Sequence, residues 1–267
     1  MIVLKGAVLA YTVWPNMGAR QMHDIDIVVQ GDRIEEAIEL FDEMGYLYTG
    51  YKTYEWHLEH TKEFAPFVRP GTDLEIELHY RFFTPNPKFN IDESQFWNNL
   101  VAVDFEGVPA RILGPEEQLM HLCFHVSIGH FLGDNMRSLM DIVLVAERYK
   151  EEFDSKKLDS LLRHSHLGPL LAFPIYVSTR FLAANFEGAI ENPAGALSLH
   201  YSGYKLKILE KAGERFLFKT EPESLLDWGF RRIAKLLMYD NKVGLIGILL
   251  CFIFAQEEVT IFEEPKP

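Results

Sequence analysis

Two acids set into an apolar, alternating run constrain this chain more than any other feature. Residues 20–29 read Arg-Gln-Met-His-Asp-Ile-Asp-Ile-Val-Val, with Asp24 and Asp26 two positions apart. A strand sends every second side chain to the same face, so both carboxylates are expected to point the same way. Like charges repel, and an apolar strand is a poor host for unpaired acids. Either the acids sit solvated at a strand end, or a cation lies between them. Paired aspartates that hold Mg²⁺ against a phosphate are one known use of such a pair.

The residues that follow place this strand under a helix. Asp32 and Glu35 have the spacing of a capping box. Ile34, Ala37, Ile38, Phe41 and Met44 recur at helical intervals, and Gly45 is placed to stop the helix. A second acidic run spans Thr72 to Phe83. There Asp73, Glu75, Glu77 and His79 alternate with Leu74, Ile76, Leu78 and Tyr80. A half-exposed edge strand has this pattern. If the run instead lies beside the Asp24 strand, one of its acids completes a three-carboxylate cation site. Near the start, Leu4-Lys5-Gly6-Ala7 combines a cation with a glycine that permits close backbone approach, as phosphate binding at a helix start requires.

Taken together, these segments resemble the uncharacterised branch of the polymerase-β-like nucleotidyltransferases. The resemblance rests on Leu4-Lys5-Gly6-Ala7, on Arg20-x-Met22-x-Asp24-Ile25-Asp26-Ile27-Val28-Val29, and on Glu77-Leu78-His79-Tyr80. It extends to Gly114-Pro115-Glu116-Glu117-Gln118-Leu119 with His125, and to Arg137-Ser138-Leu139-Met140-Asp141-Ile142. It implies an α+β fold, a nucleotidyltransferase-like mixed sheet with flanking helices, followed by an all-helical half. Asp24, Asp26 and Glu77 match the family's metal-binding acids, with Glu75 as the substitute for Glu77. Two Mg²⁺ ions, or Mn²⁺ in their place, would then bind a nucleoside triphosphate. A nucleoside monophosphate would pass to a hydroxyl acceptor, a protein side chain or small molecule, with release of pyrophosphate. Lys5, Gly6, Arg20, His79 and His125 are the residues expected to face the nucleotide. A non-catalytic nucleotide-binding or protein-interaction module, including a toxin–antitoxin partner, is the alternative reading of the same residues.

Several of these side chains have plainer roles open to them. Arg20 either neutralises triphosphate or pairs with an acid of the protein. His79 either acts directly or hydrogen-bonds an active-site acid. Arg137 and Asp141, four apart, are expected to form an ordinary intrahelical ion pair. His121 and His125 share a helical face and could grip a transition metal, or His125 packs between the halves or points at the nucleotide. Asp26→Asn is expected to relieve repulsion between acids.

Apolar periodicity changes character near residue 112. Strands are expected at 24–29, 46–51, 54–60, 73–83 and 101–112, and helices dominate from Gly114 onward. The expected division is therefore a catalytic domain over 1–112 and a helical domain over 113–267 forming the other wall of a cleft. Pro115 suits a first helical position, and Pro174 is expected to kink or break a helix over 168–185. Val243 to Ala255 is the most apolar run, shorter than the roughly 20 residues a bilayer demands, and is expected to form a buried helix. Residues 1–14 lack a basic segment before their apolar stretch, so no signal peptide is expected.

Composition narrows the partners. The formal net charge of −13 argues against non-specific nucleic-acid binding, which needs a basic surface. Two cysteines, Cys123 and Cys251, exclude a disulfide scaffold, and a cytoplasmic location is the natural expectation. Hydrophobic residues at 48% suffice for a sizeable core.

Overall fold

The alternating runs of the first eighty residues assemble into one mixed sheet. The computed structural model describes residues 1–84, 91–130, 135–186, 189–217 and 225–239. The sheet strands are β1 (Ile2–Val3), β2 (Asp24–Val28), β3 (Leu47–Tyr48), β4 (Phe67–Val68) and β5 (Glu75–His79). Their spatial order is β1-β2-β5-β4-β3. The two acidic strands are neighbours: β2 and β5 run parallel, with Asp24 opposite Glu75, Asp26 opposite Glu77 and Val28 opposite His79. The second acidic run is therefore an inner strand and not a half-exposed edge.

Period-two alternation assigns each face of this sheet to a different core. Ile27, Val29, Ile76, Leu78 and Tyr80 pack beneath α2 (Ile34–Glu43) and α3 (Tyr54–His60). Val28 lies on the opposite face with Ile2, Leu4 and Leu9, and their core continues into the helices after residue 113. Those Leu9-side contacts begin in α1 (Lys5–Thr12). Asp24 and Asp26, four and two residues before Val28, share its face.

Local physics altered several boundaries. Residues 54–60 form α3 and not a strand. The Thr53 hydroxyl caps it by accepting from the Trp56 amide, and Tyr54, His57 and Leu58 turn one helical face onto the core. Tyr54, Trp56, Leu58 and His60 alternate as in a strand while Tyr54, His57 and Leu58 recur at helical spacing, so the run fits both periods, and the cap decides. The expected strand at 46–51 shortens to β3. After α4 (Ser94–Asn98), the expected strand at 101–112 is a hairpin of β6 (Leu100–Phe105) and β7 (Val108–Leu113). Its two-residue turn has positive φ at Glu106 (54°) and Gly107 (91°), as a turn that matches strand twist requires.

Asp32 does not cap α2. Gly31–Arg33 form a short 3-10 turn first, and Arg33, spent on Glu36, occupies the cap position. The C-terminus follows the sequence: Gly45 at φ 78° lets the Tyr46 amide reach the Phe41 carbonyl at 2.9 Å. The two rings pack at a tilt of 46°, their centroids 5.9 Å apart, and close the motif.

The helical portion comprises, among the described residues, α5 (Pro115–Phe124), α6 (Asn135–Arg148), α7 (Ser155–His164), α8 (Gly168–Leu182), α9 (Gly203–Leu217) and α10 (Leu225–Tyr239). A π-helical stretch, His125–His130, extends α5. Pro115 occupies the first turn of α5 as expected. Pro174 does not break α8, which runs through it. The carbonyl that Pro174 leaves without an amide partner belongs to Leu170, and the buried Ser127 hydroxyl donates to it at 2.8 Å. Among the described residues no helix is long and apolar enough to cross a membrane. Val243 to Ala255, with Cys251, lies outside the described residues.

This repair of α8 is testable. Ser127→Ala should lower the unfolding free energy by about 1–3 kcal/mol, the cost of a buried carbonyl left unpaired. In a Pro174→Ala background the restored amide serves that carbonyl, and the same change should cost almost nothing. Urea denaturation of the four proteins reads the difference; equal costs in both backgrounds refute the repair.

Candidate functional site

The parallel register of β2 and β5 brings acids from both strands to one cavity. Its volume is about 250 Å³, and Asp24, Asp26 and Glu77 all line it. Opposite them stand Arg137, Ser138 and Asp141 of α6, together with Leu122 and His125. Lys5, Gly6, Arg20, Lys62 and Glu63 also line the cavity.

Asp26 is the centre of this arrangement. It is only 3% exposed, and its Oδ1 accepts from Lys5 Nζ at 2.5 Å and from His79 Nε2 at 2.9 Å. Burial alone pushes the Asp26 carboxyl up; the Lys5 ammonium and the His79 ring outweigh it and hold the group below the usual carboxylate range. Burial likewise pulls the Lys5 ammonium down, and Asp26 more than restores it, leaving it raised. Lys5 itself sits at φ 42°, an uncommon value for a residue with a side chain. The Leu4 amide, bonded to the Asp26 carbonyl at 2.9 Å, anchors this turn on β2.

Arg20 is committed to the protein. Its Nε and Nη2 donate to the two oxygens of Asp141 at 2.9 and 2.8 Å, and Trp14 Nε1 donates to Oδ1 at 2.8 Å. Asp141 therefore does not form the expected pair with Arg137. A bidentate fork outcompetes a single intrahelical contact, and Arg137 donates to the Gln21 carbonyl at 3.1 Å. Gly6 is explained by the same fork: a Cβ there would lie 2.6 Å from Arg20 Nη1.

The histidines divide. His79, 1% exposed, hydrogen-bonds the central acid. His121 is sealed among Phe82 and Phe83, and burial, reinforced by Lys5, lowers its ring to about 3. His125 lines the cavity, and among the described residues neither His121 nor His125 belongs to a group of three or more side chains placed to hold a metal ion. Among the described residues the group that could hold a metal ion is Asp26, Glu77 and His79, with ligand atoms all within 4.8 Å of one another. Two oxygens and an imidazole nitrogen on rigid neighbouring strands fit a divalent ion. Asp24 lines the same cavity but does not contribute to that trio.

Lys62 and Glu63 escaped the sequence. Residues 62–64 return antiparallel along the end of β5, bonding the Tyr80 amide to the Lys62 carbonyl and the Phe64 amide to the Leu78 carbonyl. That pairing carries both charges to the cavity, and no local spacing announces it. Burial, and Lys5 beside it, lower the Lys62 ammonium.

Two expectations follow. Asp141→Ala strands the buried Arg20 guanidinium and should destabilise the fold by about 3–5 kcal/mol, while Arg20→Met added to it should recover much of the loss. Chemical denaturation of both variants checks this; a double variant no better than the single one refutes it. Asp26→Asn does not merely relieve repulsion, because Lys5 already neutralises that acid. The folded carboxyl is lowered, so its stabilisation is present above the ordinary value of about 4 and fades as pH falls toward the lowered one. Asp26→Asn should therefore melt below wild type at pH 7, and the gap should narrow in acid.

No curated protein matches the chain, and no solved structure does. A family model for an uncharacterised nucleotidyltransferase matches residues 1–183. The matched span contains both acidic strands, the Lys5-Gly6 turn, Arg20 and its partner Asp141. With more than half of its 267 residues inside that match, the chain belongs to this nucleotidyltransferase family.

Proposed function

We propose that this protein is a metal-dependent nucleotidyltransferase that moves a nucleoside monophosphate from a nucleoside triphosphate to a hydroxyl acceptor. The observation that carries the reading is the in-register placement of Asp26 and Glu77 on adjacent parallel strands, inside a cavity that is also lined by cations. Asp24, Asp26 and Glu77 are the acids that would hold the metal, Mg²⁺ or Mn²⁺, with two ions in the working site. Bound there, divalent cations neutralise phosphate charge and lower the pKa of an acceptor hydroxyl.

The chain's own residues do the rest. Lys5, Lys62 and Arg137 supply positive charge for a triphosphate within a protein whose net charge is −13. Arg20, fixed by Asp141, presents its remaining donor over Gly6. His79 orients Asp26, and His125 faces the same space. The acceptor oxygen attacks the α-phosphorus, the bond from that phosphorus to the β-bridging oxygen breaks, and pyrophosphate leaves. Glu77, 24% exposed at its side chain, is the acid placed to take the acceptor proton. In this reading residues 1–112 carry the chemistry, and residues 113–267 form the opposite wall and select a protein side chain or small molecule. A cytoplasmic site of action suits such a substrate.

The experiment is transfer of labelled nucleotide from each of the four NTPs to lysate proteins and small metabolites. Label should appear on an acceptor only with divalent metal, and Asp26→Asn and Glu77→Gln should reduce it to background. Metal-dependent NTP binding without transfer to any acceptor favours the non-catalytic alternative.

A further inference from the structure

The imidazole of His79 is wedged between carboxylates on both sides. Its Nε2 lies 2.9 Å from Asp26 Oδ1 and 3.5 Å from Glu77 Oε2. Its Nδ1 lies 3.1 Å from Glu63 Oε2. The latter is a charge contact out of line for a hydrogen bond, so this fully buried ring atom makes none. Glu63 reaches it because Glu63 and His79 are bridge partners where the chain returns along β5. Lys62 also contacts the Glu63 carboxylate and holds it in place.

Two ligands at right angles on one ion, with bonds of about 2.1 Å, stand about 3.0 Å apart. The separations around Nε2 are of that size. A histidine coordinates through a lone pair on one nitrogen only when its proton resides on the other, and a carboxylate facing that other nitrogen fixes the tautomer. As the side chains stand, Nε2 instead donates to Asp26, so an incoming ion has to move that proton to Nδ1, which lies 3.1 Å from Glu63 Oε2. Mg²⁺ favours all-oxygen shells, whereas first-row transition ions accept imidazole readily.

We propose that His79 Nε2 is itself a ligand of the ion shared by Asp26 and Glu77, that Glu63 is the positioning residue that receives the ring proton on Nδ1 once the ion is bound, and that this mixed shell selects Mn²⁺ over Mg²⁺. The inference rests on the metal-dependent reading above and goes beyond it, because it replaces an all-carboxylate shell with a nitrogen-containing one. It also gives Glu63 a task that a buried structural pair would not have. An incoming ion competes with Lys5 for Asp26, which frees that ammonium toward phosphate.

The test uses the full chain and the metals alone. Mn²⁺ and Mg²⁺ are titrated separately by calorimetry without nucleotide, and bound Mn²⁺ is read by pulsed EPR for coupling to ¹⁴N. Wild type should show ¹⁴N coupling and bind Mn²⁺ more tightly than Mg²⁺. His79→Gln should lose the coupling and the preference together. Glu63→Gln should keep the coupling but weaken Mn²⁺ by about 10- to 100-fold, as loss of a ligand's supporting carboxylate does. Because the EPR readout is made on wild type, misfolding of a variant does not remove the test. Mn²⁺ bound without ¹⁴N coupling, or unchanged Mn²⁺ affinity in a folded His79→Gln, overturns this inference and leaves nucleotidyl transfer standing. Failure of wild type to bind either ion, with or without NTP, overturns both.

Discussion

A carboxylate almost sealed from water has to be neutralised, and the site is arranged around meeting that demand at Asp26. An isolated buried charge costs several kcal/mol or more. Lys5 and His79 meet the cost from two directions, one from the turn that opens α1 and one from the neighbouring strand. The positive φ of Lys5, the close pairing of β1 with β2 and the parallel alignment of β2 with β5 all converge on that one oxygen. The site is thus preorganised by the same contacts that make the sheet.

A second buried charge ties the sheet to the helices. Arg20 and Asp141 are 121 residues apart in sequence, yet they form a two-point fork with Trp14 as a third donor. This link sets the distance across the cavity, because Asp141 belongs to α6 and Arg20 precedes β2. It also explains the glycine of the Leu4-Lys5-Gly6 turn, where any side chain would strike the guanidinium. One core runs from Ile2 through α5 to α10, so the apolar packing and the ion pair hold the two walls in the same relation.

The helical half shows how buried polar groups are reconciled with breaks in regular structure. Pro174 costs α8 one hydrogen bond, and Ser127, on the π-helical stretch after α5, replaces it. The side chain that repairs α8 therefore comes from the same segment that brings His125 to the cavity.

Much of the fold was legible where a local rule had no rival. The alternation at 24–28 and 75–79, the helix from Ile34 and its stop at Gly45, and the start of α5 at Pro115 follow from side-chain period and backbone preference. Where two periods fit one run, as at Tyr54 to His60, a single capping hydroxyl decided, and the strand reading failed. The hairpin at 100–113 was missed because Glu106, not asparagine or glycine, takes the first turn position.

That Lys5-Gly6 and Arg20 accompany the acids was implied by the family resemblance. By itself the sequence determined that acids spaced by two would share a face, that a helix would follow them from Ile34 to Gly45, and that helices would dominate after Gly114. Such features depend on neighbours within a few residues, where geometry is fixed by the chain. Only tertiary structure decided who pairs with whom: Lys5 with Asp26, Arg20 with Asp141 in place of Arg137, Glu63 with His79. The energy of a charge contact depends on distance and burial in three dimensions. Strand order and the approach of α6 set both, and neither is written in local spacing.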